Sequence, residues 1–412
     1  NMLGGGSISG LLRFNNTDLA EGRNLLGRMA LAIGTTLNYQ QTLGLTLDGV
    51  AGKPLFATTA SVPGLTLGTA VGSISFTNSA SFSPTEFAAS DYEVRFDATG
   101  VGGQVVRLSD GETTPFTNIT TLATTQIDGL TFNFTATGTA NERVLFKPFG
   151  TAASDMKALV YSPRDLAVAN PINAAMGTSN SGTLQLAGLQ ATGITWNGGT
   201  GQAVNSGIGG LSMPPSPVPP ATTGGGVVLT FNANGKFTIS GNANPPIDMA
   251  ANPPKLLTGT GAPPQYEYTS GQSIHIDGWS INLKGSPKAG DTVTIGNAKD
   301  AQYGDNYTRN AGNATALMNL RDVKMFDEST LSDGYASAMA QVGTRTQSAL
   351  FASDLSKSIA VNLENDRTAV SGVNLDEEAA KLLQYQQAYQ ASAKMLQIAQ
   401  SVFDTLIQNL GR

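Results

Sequence analysis

The chain contains no cysteine and one histidine, His275. Without cysteine there can be no disulfides, thiol nucleophiles or thiolate metal sites. The redox compartment stays open, and an exterior protein of this kind must draw its stability from core burial or from assembly. A single histidine leaves little room for a Ser-His-acid site, which needs a base beside its nucleophile. His275 lies in an alternating strand pattern beside Asp277-Gly278 and reads as a surface or half-buried strand residue. Paired carboxylates converge from distant positions and leave no local signature, but the acids here are sparse and sit in turns or at helix starts. No catalytic, cofactor-binding or metal-ligating residue is assigned, and the chain is expected not to be an enzyme.

Charge is also scarce, at 13% of residues against a usual ~25%. Glycine (48 residues) and small polar residues fill the gap, a composition suited to β-rich domains with many turns. The net charge of −6 and a pI near 4.9 speak against nucleic acid, which is bound through clustered Lys and Arg, and against an anionic membrane surface. No run of ~18 apolar residues could span a bilayer, and no charged n-region with an apolar h-region marks a cleavable signal. The chain opens at Asn1-Met2 within a glycine-rich run, so it is expected to be the middle and end of a longer protein. The glycine runs at 4–6 and 224–226 fit neither the P-loop nor the dinucleotide fingerprint. Asn232-Ala-Asn-Gly235 reads as a hairpin turn rather than a calcium loop, since it lacks the acidic end positions.

What is present alternates between two periodicities. Residues 11–47 are helical in pattern, with Asp18 and Glu21 at capping-box spacing and Leu26, Met29, Ile33 and Leu37 on one face. Gly44 ends the helix. From about 50 to 314, Thr, Val, Ile and Phe alternate with polar residues between Gly, Asn and Pro turns, the pattern of strands. Two stretches of this region match in register. Gln126-Ile-Asp-Gly-Leu-Thr-Phe-Asn-Phe134 parallels His275-Ile-Asp-Gly-Trp-Ser-Ile-Asn-Leu283, and a strand pair precedes each, at 92–96 with 104–108 and at 227–231 with 236–240. They predict two similar β domains, with the extended Pro-rich stretch Met213 to Pro220 and the glycine-rich Thr222 to Gly226 as a boundary or crossing.

After ~315 the pattern is helical again. A long helix over 332–366 carries Phe351, Leu355, Ile359 and Leu363 at four-residue steps. The final segment is the clearest of all. Asn374 is a good N-cap, Glu377 completes a capping box, and Asp376, Glu377 and Glu378 suit the positive end of the helix dipole. Leu375, Leu382, Tyr389, Leu396, Phe403, Ile407 and Leu410 mark an a/d seam over five heptads, with Gln386 and Gln400 as its polar breaks. A helix of roughly 50 Å cannot cover such a seam on a body only ~30 Å across. It predicts a helical partner, in another segment or in a neighbouring subunit.

The terminal stretch Ser371-Gly-Val-Asn-Leu-Asp-Glu-Glu-Ala-Ala380 with Gln386-Gln-Ala-Tyr-Gln-Ala-Ser-Ala393 resembles the C-terminal signature of the flagellar hook-associated protein 1 family; hook and rod proteins share a looser version. Ser9-Gly-Leu-Leu-Arg-Phe14, Asn24-Leu-Leu-Gly-Arg-Met-Ala30 and Asn38-Tyr-Gln-Gln-Thr-Leu-Gly44 resemble the family's helical stretch before its β domains. Ala89 to Val94, Arg107 to Gly111, Tyr307 to Asn310 and Ala316 to Asp322 follow in order. Residues ~176–265 show no clear resemblance. The family's opening helix is missing here, and Gln41 stands where relatives often carry His.

The resemblance implies an α+β multidomain fold: a helical core from the chain's two ends (1–48 with 315–370), β domains inserted at 49–175 and 176–314, and a terminal coiled-coil helix at 371–412. It implies a structural subunit at the extracellular hook–filament junction, exported unfolded through the flagellar type III channel. Its partners would be copies of itself, the hook protein, the second junction protein and a cytoplasmic chaperone on the C-terminal region; no cofactor is implied. The alternative left open is a β-domain adhesin or other cell-surface binding protein.

Overall fold

A computed structural model describes residues 6–76, 87–199, 201–205, 226–251, 253–300, 303–326, 329–372 and 374–410. The fold is α+β, with helices toward both ends and the strands between them. The chain divides into two compact units, Asn1–Gln341 and Val342–Arg412. Most of the Pro-rich and glycine-rich stretch expected as a crossing lies outside the described residues.

The first unit is organised on helix α1, Leu19–Leu43. A capping box at Asp18 does not form. A helix over Ser7–Arg13 and a π-helical turn over Phe14–Asp18 lead straight into α1, so Asp18 keeps helical angles and makes no side-chain cap bond. Nor is the apolar face the single stripe expected. Leu26 is exposed, while Asn24, Gly27, Arg28, Leu31, Ala32, Gly34, Gln40 and Gln41 are buried. The reason is that the helix is packed on several sides at once. Leu31 enters the first β core, Leu43 the second, and Met29 with Ala32 joins Met325, Phe326 and Ala338 in a third. Gly27 marks the closest approach: a Cβ there would fall 2.0 Å from the Phe149 carbonyl oxygen.

The polar residues of α1 each grip a different segment, as buried polar groups must. Asn24 donates to Asp91 (3.0 Å) and Arg28 to the Phe87 carbonyl (3.2 Å). Asn38 both donates to and accepts from the Phe56 backbone, at 2.8 Å each way. Gln41 is fully buried and donates to the Asp165 carbonyl at 2.9 Å. Gln40 donates to Asn313 Oδ1 at 2.6 Å, and Asn313 donates back to the carbonyls of Gln40 and Ala167. Asn313 belongs to α2, Gly312–Asn319, where the chain returns from its β region.

The first β domain has strands β1 Ser61–Pro63, β2 Val71–Phe76, β3 Tyr92–Phe96, β4 Gly103–Arg107, β5 Thr113–Phe116, β6 Gln126–Ile127, β7 Leu130–Ala136 and β8 Arg143–Phe146. They form antiparallel sheets in the orders β5-β4-β3-β8 and β1-β2-β7-β6. The inward residues of both sheets share one core. Within it Tyr92, Phe132, Phe146, Phe134 and Phe96 form a run of edge-to-face ring pairs with centroids 5.5–5.8 Å apart, each pair contributing about 0.5–1.5 kcal/mol beyond its burial.

The second β domain has β9 Ile172–Met176, β10 Gln185–Ala191, β11 Val227–Phe231, β12 Lys236–Ser240, β13 Ile247–Asp248, β14 Lys255–Leu256, β15 Gln265–Glu267, β16 Ser273–Ile276, β17 Trp279–Lys284 and β18 Thr292–Asn297. Its sheets run β9-β18-β11-β12-β15 and β10-β17-β16-β13-β14. The order β8-β3-β4-β5 thus recurs as β18-β11-β12-β15, and β2-β7-β6 recurs as β10-β17-β16. The repeat read from two nine-residue matches is therefore a repeat of topology.

Its anchor is a two-residue hairpin. Asp128-Gly129 and Asp277-Gly278 all have positive φ (52°, 71°, 46° and 83°), the I′ geometry that Asp-Gly adopts most readily and that suits strand twist. The two aspartates serve different partners. Asp128 accepts from the Tyr92 hydroxyl (2.6 Å) and from Arg107 (2.9 Å), whereas Asp277 accepts from the backbone of Ala243 and Asn244 at 2.8 Å each.

His275 lies on β16, half-buried and opposite Ile247 and Ser280. The strand Ile194–Asn197 packs against β16, and the His275 Nδ1 is buried without a partner. Burial pushes its pKa down to about 4 from 6.5. Glu142 moves down too, to about 2: burial alone would raise it, but backbone N–H groups of Thr139 and Ala70 and the Thr66 hydroxyl hold the carboxylate charged.

Two outcomes follow. Gly27→Ala should lower the unfolding temperature of the first unit, costing roughly 1–3 kcal/mol of overpacking. Gly22→Ala on the same helix, with open space around its Cβ, should gain about 0.5–1 kcal/mol; equal effects at both sites in calorimetry would refute the contact with Phe149. For His275, the unfolded state binds the extra proton between pH 6.5 and about 4, so stability falls as pH drops through that window, by at most about 1.4 kcal/mol per pH unit. His275→Gln should flatten this part of the profile. The loss from Glu142 should remain, because it falls lower, between 4.5 and about 2.

Candidate assembly surface

The second unit is made of the rest of α3, Leu331–Ser371, and of α4, Leu375–Leu410. Two caps separate them. The Gly372 N–H closes α3 on the Thr368 carbonyl at 2.7 Å, and a Cβ at Gly372 would meet that same oxygen at 2.1 Å. Asn374 then opens α4: its side chain accepts from the Asp376 N–H at 3.2 Å, and its carbonyl takes the first helical bond from Glu378. Asp376, Glu377 and Glu378 occupy the first turn, where negative charge meets the helix dipole favourably. Lys381 pairs with Glu378 at 3.1 Å.

From that start α4 runs 36 residues without a break, about 54 Å. All seven seam residues fall on it: Leu375, Leu382, Tyr389, Leu396, Phe403, Ile407 and Leu410. Every one is exposed, from 59% at Ile407 to 82% at Leu410. Single exposed apolar residues are ordinary on protein surfaces; a continuous stripe of them is the mark of a contact face.

The seam alone understates the apolar surface. Met395, Ile398, Val402 and Leu406 are also exposed, and their steps of three, four and four set them on a second face of the same helix. This stripe was legible in the spacing but overlaps the seam in sequence, so the heptad reading passed over it. Between Leu382 and Leu410 the only charged residues are Lys394 and Asp404; Gln, Ser, Thr and Asn fill the polar side. In α3 the four-step stripe Phe351, Leu355, Ile359 and Leu363 is exposed as well.

No helix among the described residues is long and apolar enough to cross a membrane, and no group of three or more His, Cys, Asp or Glu among them could hold a metal ion.

The family described as the flagellar hook-associated protein FlgK helical domain matches residues 1–56, and the flagellar basal body rod FlgEFG protein C-terminal family matches residues 367–409. Flagellar hook-associated protein 1 of Salmonella typhimurium is 24% identical over 406 residues, 98% of this chain and 50% of that protein. Its namesake in Escherichia coli is also 24% identical, over 415 residues. The chain therefore spans about half the length of these relatives. Among solved structures, the flagellar hook junction protein FlgK from Burkholderia pseudomallei superposes with a TM-score of 0.67 at 25% identity, covering 89% of this chain and 63% of that one. Sequence and fold together relate the chain to flagellar hook-associated protein 1 over nearly its whole length.

Proposed function

We propose that the chain belongs to a structural subunit of the bacterial flagellum that self-assembles through its terminal helices at the junction between hook and filament, outside the cell. The observation that carries this reading is the seam. Seven large side chains on one face of a 36-residue helix stand in water, and burying each would be worth about 1.5–3 kcal/mol. A helix built this way gains most of its stability from a partner rather than from its own propensity. The relatives are named for association with the flagellar hook, and the solved neighbour as a flagellar hook junction protein, which supports the same assignment here.

In this reading residues 1–48 and 315–370 form a helical core carrying β domains at 49–175 and 176–314, and residues 371–412 provide the contact helix. Its neighbours would be copies of the same chain, the hook protein and the second junction protein, with an export chaperone on the C-terminal region before assembly. The role is structural rather than catalytic. The single histidine supports this, being held neutral on a covered strand face.

The test is complementation of a non-motile strain lacking its own hook-associated protein 1. The complete protein should restore swimming; the same protein without residues 375–412 should not. Leu382→Asp or Leu396→Asp should also abolish motility, since an unpaired carboxylate in a buried seam costs several kcal/mol, while the unfolding of the first unit stays unchanged. Full motility with both charged variants would remove the seam from the mechanism.

A further inference from the structure

Resting on the self-assembling role proposed above, we infer that copies of the chain join head to tail through the first β domain. The apolar tip Leu67 of one copy enters a recess on the opposite edge of the next.

The tip belongs to the loop after β1. Leu67 is fully exposed there, with Leu65 beside it 57% exposed. Single exposed leucines are ordinary; what sets this one apart is how firmly its loop is held. Leu65 exchanges backbone hydrogen bonds with Leu145 of β8, at 2.8 Å each way. The Glu142 carboxylate accepts from the Thr66 hydroxyl (2.7 Å) and from the N–H groups of Ala70 (2.9 Å) and Thr139 (2.8 Å). The Gly68 N–H donates to the Thr66 hydroxyl at 3.0 Å, and a Cβ at Gly68 would fall 2.2 Å from the Glu142 carboxyl group. A loop fixed in this way has little freedom left to lose on docking, and that lowers the cost of binding.

The recess lies across the domain. The sheet orders β5-β4-β3-β8 and β1-β2-β7-β6 put β8 and β1 at one edge and β5 and β6 at the other. The Leu65–Leu145 bridge joins the first edge. At the second, the two sheets stand open around a cavity of about 190 Å³, lined by Val105 and Thr114 from one sheet and by Gln126 and Ile127 from the other. Deleting a leucine side chain from a packed core leaves about 150 Å³, so a leucine fits this space.

Charge sets the direction. At the recess, Asp110, Glu112 and Asp128 all converge on one guanidinium, that of Arg107, which leaves negative charge in excess. The side chains of Asp110 and Glu112 are 50% and 63% exposed. At the tip's edge stands Arg143, 64% exposed; it reaches Glu93 only at 3.7 Å, and Glu93 already holds Arg95. Arg143 and Leu67 line one hollow. Tip to recess therefore brings a cation to surplus carboxylates, whereas tip to tip would set Arg143 against its own copy. Unlike surfaces that meet in this way propagate into a ring or a filament instead of stopping at a two-fold dimer.

The absence of cysteine lets two single variants of the whole chain test the contact. Leu67 and Gln126 are both exposed, so Leu67→Cys and Gln126→Cys leave the core intact. One variant carries a mass tag, and each is mildly oxidised alone and in mixture, at the roughly millimolar level that copies held side by side would reach. The mixture should yield the mixed dimer roughly tenfold above either same-variant dimer. Adding Arg143→Glu to the Leu67→Cys copy should cut that yield roughly tenfold, while Arg143→Lys should keep it. No mixed dimer, same-variant dimers in equal yield, or a yield blind to Arg143→Glu would each overturn the head-to-tail contact. If the mixed dimer does not form while the complete protein still restores swimming, the contact fails and the junction reading stands. If it forms while the complete protein does not restore swimming, the contact stands and the junction role fails.

Discussion

Helix α1 is the constraint on which the first unit depends. Twenty-five residues supply side chains to three separate cores, while their polar neighbours bind backbone at Phe56, Phe87 and Asp165 and side chains at Asp91 and Asn313. Both β domains are insertions between this helix and the return through α2. A segment inserted into a chain needs a fixed place to leave and re-enter, and a helix buried on several sides provides one. The Gln40–Asn313 pair closes that ring across 273 residues of sequence. Each amide donates to the other segment, so losing one partner would leave a buried polar group unmet, the costlier half of a hydrogen bond.

That same constraint explains which parts of the sequence could be read directly. A half-buried strand alternates, so Tyr92-Glu93-Val94-Arg95-Phe96 declared itself and forms β3 with Tyr92, Val94 and Phe96 inward. The Asp-Gly turns were equally plain, because few other pairs tolerate two positive φ angles in succession. Helix α1 was harder. Its period was visible, but an amphipathic stripe presumes one dry side, and a helix sandwiched by several elements has more than one. Leu26 shares one face with Met29 and Ile33 by spacing yet lies outward, while Arg28 and Gln41, polar by type, are buried. Asp18 failed for a related reason: capping residues are recognised by local spacing, and the helix continues through Ser7–Asp18 regardless.

The two β domains show how far a repeat can diverge while its frame persists. Their strand orders correspond, and the turn between paired strands keeps both its residues and its backbone angles. The aspartate's work does not persist. At 128 it joins a tyrosine and an arginine of the other sheet of its domain; at 277 it ties down a loop absent from the first copy. An Asp in this turn is selected first by conformation and is then free to satisfy whatever donors the neighbouring loop presents.

The terminal helices invert the logic of the first unit. There, apolar side chains are inside and specify a fold; along α4 they are outside, in reach of whatever packs on the helix. The spacing of the seven positions is legible because a heptad pattern keeps its period whether or not a partner is present, whereas the second stripe through Met395, Ile398, Val402 and Leu406 overlaps it in sequence. Two apolar faces on one half of a helix leave a large exposed apolar surface, and the polar positions between them are mostly Gln, Ser and Thr rather than charged residues. Burying a charge without a partner costs far more than burying an amide or hydroxyl that can be hydrogen-bonded. The near-absence of charge between Leu382 and Leu410 therefore lets this half of the helix be covered on either face at little desolvation cost.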